Sequence, residues 1–210
     1  MKAPKSVAKL EDLGRVRLSR NFFMRDFLYS EIANVHGLAN IPENPDLAIE
    51  AGTRLCEDLL EPLNATFGRI AIRSAYRSPT VNAFGNANGH ACASNEANYA
   101  SHIWDHRDEA GRMGATACIV IPWFADRFEG GADWRAMAWW VHDHLPYSRM
   151  EFYPTRAAFN LTWREEPERK INSFVQPKGY LTRPGMANHV GDHSEWYPSF
   201  PAQGATPPFP

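Results

Sequence analysis

The chain opens on a polar, basic stretch, MKAPKSVAKLEDLGRVRL, whose scattered apolar residues predict an arm over residues 1–18 and no packed element. From Asn21 onward, Met24, Phe27, Leu28, Ile32 and Val35 recur at helical spacing and predict a first helix. The segment LANIPENP reads as a connector, with Asn44 placed to cap a second helix and Pro45 suited to its first turn. In that helix Leu47, Ala51, Leu55 and Leu59 line up along one face.

Beyond it the pattern shortens. Apolar runs at 70–72, 115–121, 149–153, 158–163 and 170–175 predict strands, the second stopped by Pro122 and the third and fourth paired. Residues 83–100, rich in Asn, Ala and Gly, read as a long surface loop. Residues 133–145 read as a helix that covers core with Trp139 and Trp140. The tail beyond Gly179 is rich in Pro and Gly and has little capacity for regular structure. Its aromatics Trp196, Tyr197, Phe200 and Phe209 suggest that it lies against something. The sum is an α+β domain over 19–179, two N-terminal helices packed on a mostly antiparallel sheet, with an extended C-terminal arm at 180–210.

Composition narrows the function classes. A chain of 210 residues, 44% hydrophobic and 22% charged, buries a core of its own as a single domain. A net charge of −2 with no long Lys/Arg run gives no footprint for nucleic acid or an anionic membrane. No apolar run is long enough to span a bilayer, and the first residues lack the apolar segment of a signal peptide. Cytoplasmic synthesis is therefore expected. Three cysteines (Cys56, Cys92, Cys118) are too few for a disulfide framework and read as reduced thiols.

The chemistry concentrates in three places: the strand-turn IAIRSAYRSPTVN at 70–82, the pair Ser101-His102, and the small-residue strand that starts GATACI at Gly114. Together with the opening LSRNFFMRDFLYSEIA and the connector GLANIPENP, they resemble the M15 metallopeptidases, the zinc D,D-carboxypeptidases with a Hedgehog-type fold. The resemblance covers nearly the whole chain. It implies a tetrahedral zinc held by His, Asp and His, a Glu that takes a proton from the zinc-bound water, and an Arg that steadies the oxyanion or the substrate carboxylate. Carried onto this sequence, Arg77 of Ser74-Ala-Tyr-Arg-Ser78 is the anion-binding arginine, Glu151 the base and His102 the first ligand. Cys118 stands where aspartate belongs and Arg164, after Trp163, where the last histidine belongs. A thiolate ligates zinc well; a guanidinium cannot. Beside Glu151, Arg164 would form a salt bridge inside the pocket.

Other groups stay open as ligands. Glu109 follows His102 at a spacing without insertion, with Asp105 and Asp108 nearby, and His106 lies in the same segment. His142 and His144 face different ways on one helix, and Gly191 argues against a helix that would join His189 to His193. With two of three ligand positions altered, the expectation is a non-catalytic structural or binding component of a phage or phage-like particle, of head-spike or tail type. It would dock to particle proteins through its terminal arms, contact a cell-wall or surface glycan and carry no cofactor, with self-association left open. The alternative is an active zinc D,D-peptidase that cleaves peptidoglycan stem peptides.

Overall fold

Hydroxyl and amide caps set the helices of the N-terminal half in the computed structural model, which describes residues 1–204. Ser6 accepts from Lys9 N and starts α1 (Val7–Gly14), so the expected arm is a helix that buries Leu13 and Gly14. The helical spacing after Asn21 is broken in two. Met24–Phe27 form a single 3₁₀ turn, and α2 (Glu31–His36) begins afresh where Ser30 accepts from Ala33 N. Met24 and Phe27 are buried, whereas Val35 faces solvent. The next helix, α3 (Pro45–Leu55), follows its pattern closely: Asn44 caps it, and Leu47, Ala51, Leu55 and Leu59 are all buried. It continues through a widened turn at Cys56–Leu60 into α4 (Glu61–Phe67).

One six-stranded sheet carries the rest: β1 (Ala71–Ser74), β2 (Gly114–Val120), β3 (Arg149–Phe152), β4 (Phe159–Arg164), β5 (Lys170–Ser173) and β6 (Gly179–Thr182). The strand order is β1-β2-β4-β3-β5-β6, and the β3–β5 pair alone is parallel. The fold class is α+β, as the pattern predicts. Ala115, Ala117 and Ile119 of β2 and Phe159, Leu161 and Trp163 of β4 enter the core that α3 covers. Alternation then sends Thr116, Cys118, Asn160 and Thr162 to the opposite face.

The second half keeps some of the expected pattern and changes the rest. The loop at 83–100 is partly helical, as α5 (Pro79–Ala87) and α6 (Asn95–Asn98), each started by a serine cap at Ser78 or Ser94. Pro122 ends β2 by opening α7 (Pro122–Glu129), since a proline in a first helical turn sacrifices no hydrogen bond. After α8 (Trp134–His144), the boundary expected at 179/180 falls inside β6, because Tyr180 pairs with Asn172 across the strands. The rest of the tail, as far as it is described, returns to the domain: the Phe200 ring meets Phe67 at 5.6 Å and Trp123 at 5.1 Å, edge to face. Phe209 lies outside the described residues.

Gly114 is the residue on which the later site depends. A Cβ there would lie 2.3 Å from the Ala100 carbonyl oxygen and 2.9 Å from that of Trp163. Only glycine lets the segment before His102 lie this close to β2, where Thr116 N donates to Ser101 O at 2.9 Å. Gly114→Ala should therefore destabilise the fold by roughly 3 kcal/mol, well above an ordinary surface change. Urea unfolding of the variant measures this, and a loss within the error of wild type would show that the strand can move aside.

Candidate functional site

The turn after β1 and the loop before β2 hold each other. Arg77 N donates to His102 O at 2.8 Å, and the His102 ring lies 2.7 Å by Nδ1 from Ala75 O. A carbonyl only accepts, so Nδ1 carries the proton and Nε2 presents its lone pair. The ring is buried, and burial together with the positive Arg77 pushes its pKa down from 6.5 to about 3, against the opposing pull of the Ala75 carbonyl. His102 is thus a neutral imidazole. Arg77 donates by Nη1 to Asn82 Oδ1 at 3.2 Å and to Cys92 Sγ at 2.9 Å. Its Nε and Nη2 make no hydrogen bond among the described residues.

The sheet supplies the other wall. Cys118 of β2 pairs with Asn160 of β4, which pairs with Glu151 of β3, so the three side chains form one row across adjacent strands. Asn160 Nδ2 donates to Glu151 Oε2 at 2.9 Å and to Tyr153 Oη at 3.0 Å. Burial pushes the Cys118 thiol up, with the Arg73 and Arg77 charges pulling it back, so the sulfur keeps its proton. Burial and the neighbouring Glu151 likewise raise the Tyr153 phenol.

Arg164 does not join this row. It pairs with Gly114 at the far end of β4, and its guanidinium meets Asp108 Oδ2 at 3.2 Å, Tyr99 O at 3.4 Å and Glu168 Oε1 at 4.0 Å. The salt bridge expected with Glu151 is therefore absent among the described residues, because the strand register seats Asn160 beside that carboxylate. Only side chains on the polar face of β4 can stand opposite Cys118, which restricts the position to Asn160, Thr162 or Arg164. That alternation was available in the sequence, but the register that selects Asn160 was not.

The alternative ligands are engaged elsewhere. Asp105 is buried and accepts from Glu43 N at 2.8 Å. Asp108 closes its own turn through Ala110 N and Arg112 N. Glu109 is exposed, and His106 stacks on Tyr99 at 4.8 Å. For the zinc that the resemblance implies, His102 Nε2 and Cys118 Sγ suit two bonds, while the third position is an amide whose NH₂ is aimed at Glu151. This donor set does not fit a tetrahedral zinc site.

A second cluster joins α8 to the C-terminal segment. Ligand atoms of His142, Asp143 and His193 lie within 4.8 Å of one another, a spacing that one ion could span. Each of them is already committed. His142 receives the Tyr147 hydroxyl at Nδ1 (2.7 Å) and donates from Nε2 to His189 O (2.9 Å). His193 lies by Nδ1 2.7 Å from Asp143 Oδ1 and by Nε2 3.0 Å from Asn188 O. It stacks on Trp139 with centroids 3.9 Å apart. The Asp143 carboxylate also takes His193 N and the Tyr197 hydroxyl. The cluster is a clasp that ties α8 to the C-terminal segment. Sequence spacing set these histidines aside because they meet through tertiary contact and not along one helix; His144 instead stacks on Trp140.

Two outcomes follow. The low pKa of His102 means that the unfolded chain binds a proton more readily than the folded one between about pH 3 and 6.5, so folding stability falls as pH drops through that window. Between pH 6.5 and 4.5 this group should cost roughly 2 to 3 kcal/mol, and urea unfolding of His102→Gln should show a correspondingly flatter pH dependence. At the clasp, Asp143→Ala should lose roughly 2 to 3 kcal/mol and speed amide exchange at residues 189–197; unchanged exchange there would refute its role.

Compared with known proteins, the chain matches no family model, no curated protein and no solved structure.

Proposed function

We propose that this chain is a non-catalytic binding domain of M15-like ancestry, and that the groups around Arg77, His102, Cys118, Asn160 and Glu151 receive a ligand of the bacterial surface. The observation that carries this reading is the double donation from Asn160 Nδ2 to Glu151 and Tyr153. A hydrolase of the implied kind needs an imidazole opposite Cys118 to close the zinc tetrahedron, and a carboxylate free to take a proton from the bound water. Here the facing position is an amide, and one oxygen of the carboxylate is occupied by it. The unspent Nε and Nη2 of Arg77 suit a carboxylate or other anionic group on the ligand. The setting in a phage or phage-like particle is part of this proposal and rests on the resemblance alone.

The second reading, an active zinc D,D-peptidase, is favoured by one feature. His102 holds its Nδ1–H on a carbonyl and offers a bare Nε2, as zinc-ligating histidines do.

Metal content separates the two. The purified chain, dialysed against zinc and then against buffer, should retain far less than one zinc per chain and release no D-alanine from peptidoglycan stem peptides. Asn160→His should raise zinc affinity at least about tenfold in isothermal titration, since it adds a third ligand beside His102 and Cys118. Arg164→His should add none. Stoichiometric zinc in the wild type, lost in His102→Ala together with peptide cleavage, would overturn the binding reading.

A further inference from the structure

The row of polar side chains does not end at Glu151. Across the parallel β3–β5 pair Glu151 stands beside Asn172, and across β5–β6 Asn172 stands beside Tyr180. One face of the sheet therefore carries Asn160, Glu151, Asn172 and Tyr180 in line over four strands, about 14 Å at the usual strand spacing. A second line runs beside it. Tyr153 and Phe174 each lie two residues beyond a member of the row, and their rings stack 5.3 Å apart at 9°. Burial falls along the strip, from Asn160, which is buried, to Phe174 and Tyr180, which are 46% and 48% exposed.

The polar groups on this strip are not all used. The Asn172 amide makes no hydrogen bond among the described residues, and the Asn160 carbonyl oxygen and Glu151 Oε1 have no partner there either. The Tyr180 ring is held from one side by the Arg183 guanidinium, 4.7 Å from its centroid. Open aromatic rings beside planar amide and carboxylate groups match one ligand chemistry closely. A pyranose offers an apolar C–H face to an aromatic ring, and its rim of hydroxyls both donates to carboxylates and carbonyls and accepts from amides. An extended peptide would instead seek free backbone groups at a strand edge, and this surface is a sheet face.

We infer that the strip from Asn160 to Tyr180, with Phe174 beside it, is a binding site for an oligosaccharide. The inference rests on the non-catalytic reading of the adjoining pocket and names the class of ligand that enters it. The chain of sugars lies across β3, β5 and β6, stacks on Phe174 and Tyr180 at the open end, and gives its hydroxyls to Asn172, Glu151 and Asn160 toward the closed end.

The test is a printed glycan array of neutral, N-acetylated and uronic-acid oligosaccharides with their monosaccharides, probed with wild type, Phe174→Ala, Tyr180→Ala and Asn172→Ala. Phe174 and Tyr180 are exposed, so these variants should fold, and their circular dichroism and melting should match wild type. Wild type should retain at least one class of oligosaccharide and bind its monosaccharide far more weakly. Each aromatic variant should lose about tenfold in affinity for the retained class. A blank array, or retention that all three variants preserve, overturns the strip. If the same protein is zinc-free and inert toward stem peptides, the reading of the pocket survives that failure. Zinc-dependent cleavage overturns the pocket reading whatever the array shows.

Discussion

The cross-strand pairs between β2 and β4, from Gly114–Arg164 to Ile119–Phe159, hold the two central strands in a register that serves both faces of the sheet at once. On the inner face the register lets Ala115, Ala117 and Ile119 meet Trp163, Leu161 and Phe159 beneath α3. On the outer face it aligns Cys118 with Asn160 and, through β3, with Glu151. A slip of one residue would turn the apolar set outward and bury Thr116 and Cys118 in its place, so the core fixes the site without touching it. The close approach at Gly114 sets the depth at which the loop bearing His102 crosses the same strand. The position of the polar row is thus a consequence of apolar packing on the other side.

Much of this was legible from residue spacing. The stripe Leu47-Ala51-Leu55-Leu59, the Asn44 cap and the strand runs each rest on local preference, and each reappears with its ends moved by a residue or so. What failed was nonlocal or compensated. Helical spacing at Met24 to Val35 was interrupted by a serine cap stronger than the pattern, and the Asn-rich loop hid two serine-capped helices. The site was half legible. Arg77 adjoins His102, and Cys118 and Glu151 flank Asn160 on the sheet, whereas finding Asn160 there required knowing which residue of β4 faces Cys118, and motif spacing beside Trp163 pointed to Arg164 instead.

The C-terminal segment shows how a Pro- and Gly-rich stretch is held without regular structure. Such a chain cannot satisfy its backbone by a ladder, so the fixed points are side chains. Asp143 accepts three hydrogen bonds from residues 193–197, His142 Nε2 donates to the His189 carbonyl, and Phe200 inserts its ring among Phe67, Trp123 and Phe124. The His193 ring lies stacked on Trp139 with centroids 3.9 Å apart. The expectation of an arm lying against something is met for the described residues by the domain's own surface.

Electrostatics sets which groups can be buried together near Arg77. A buried carboxylate at position 118 would need a cation to offset its desolvation, and removing that cation alone would leave an uncompensated charge worth several kcal/mol. A thiol that burial keeps protonated avoids this, as does an imidazole whose pKa has fallen to about 3. Of the carboxylates here, Glu151 is held by the Asn160 amide, and Glu31 acts on Cys118 through its charge. Each buried group is therefore neutral or hydrogen-bonded, and the Arg77 and Arg73 charges stand against those of Glu31 and Glu151. What these residues present is a set of donors and acceptors beside the Arg77 cation. The same row of polar side chains runs on across the sheet, since Glu151 stands beside Asn172 and Asn172 beside Tyr180.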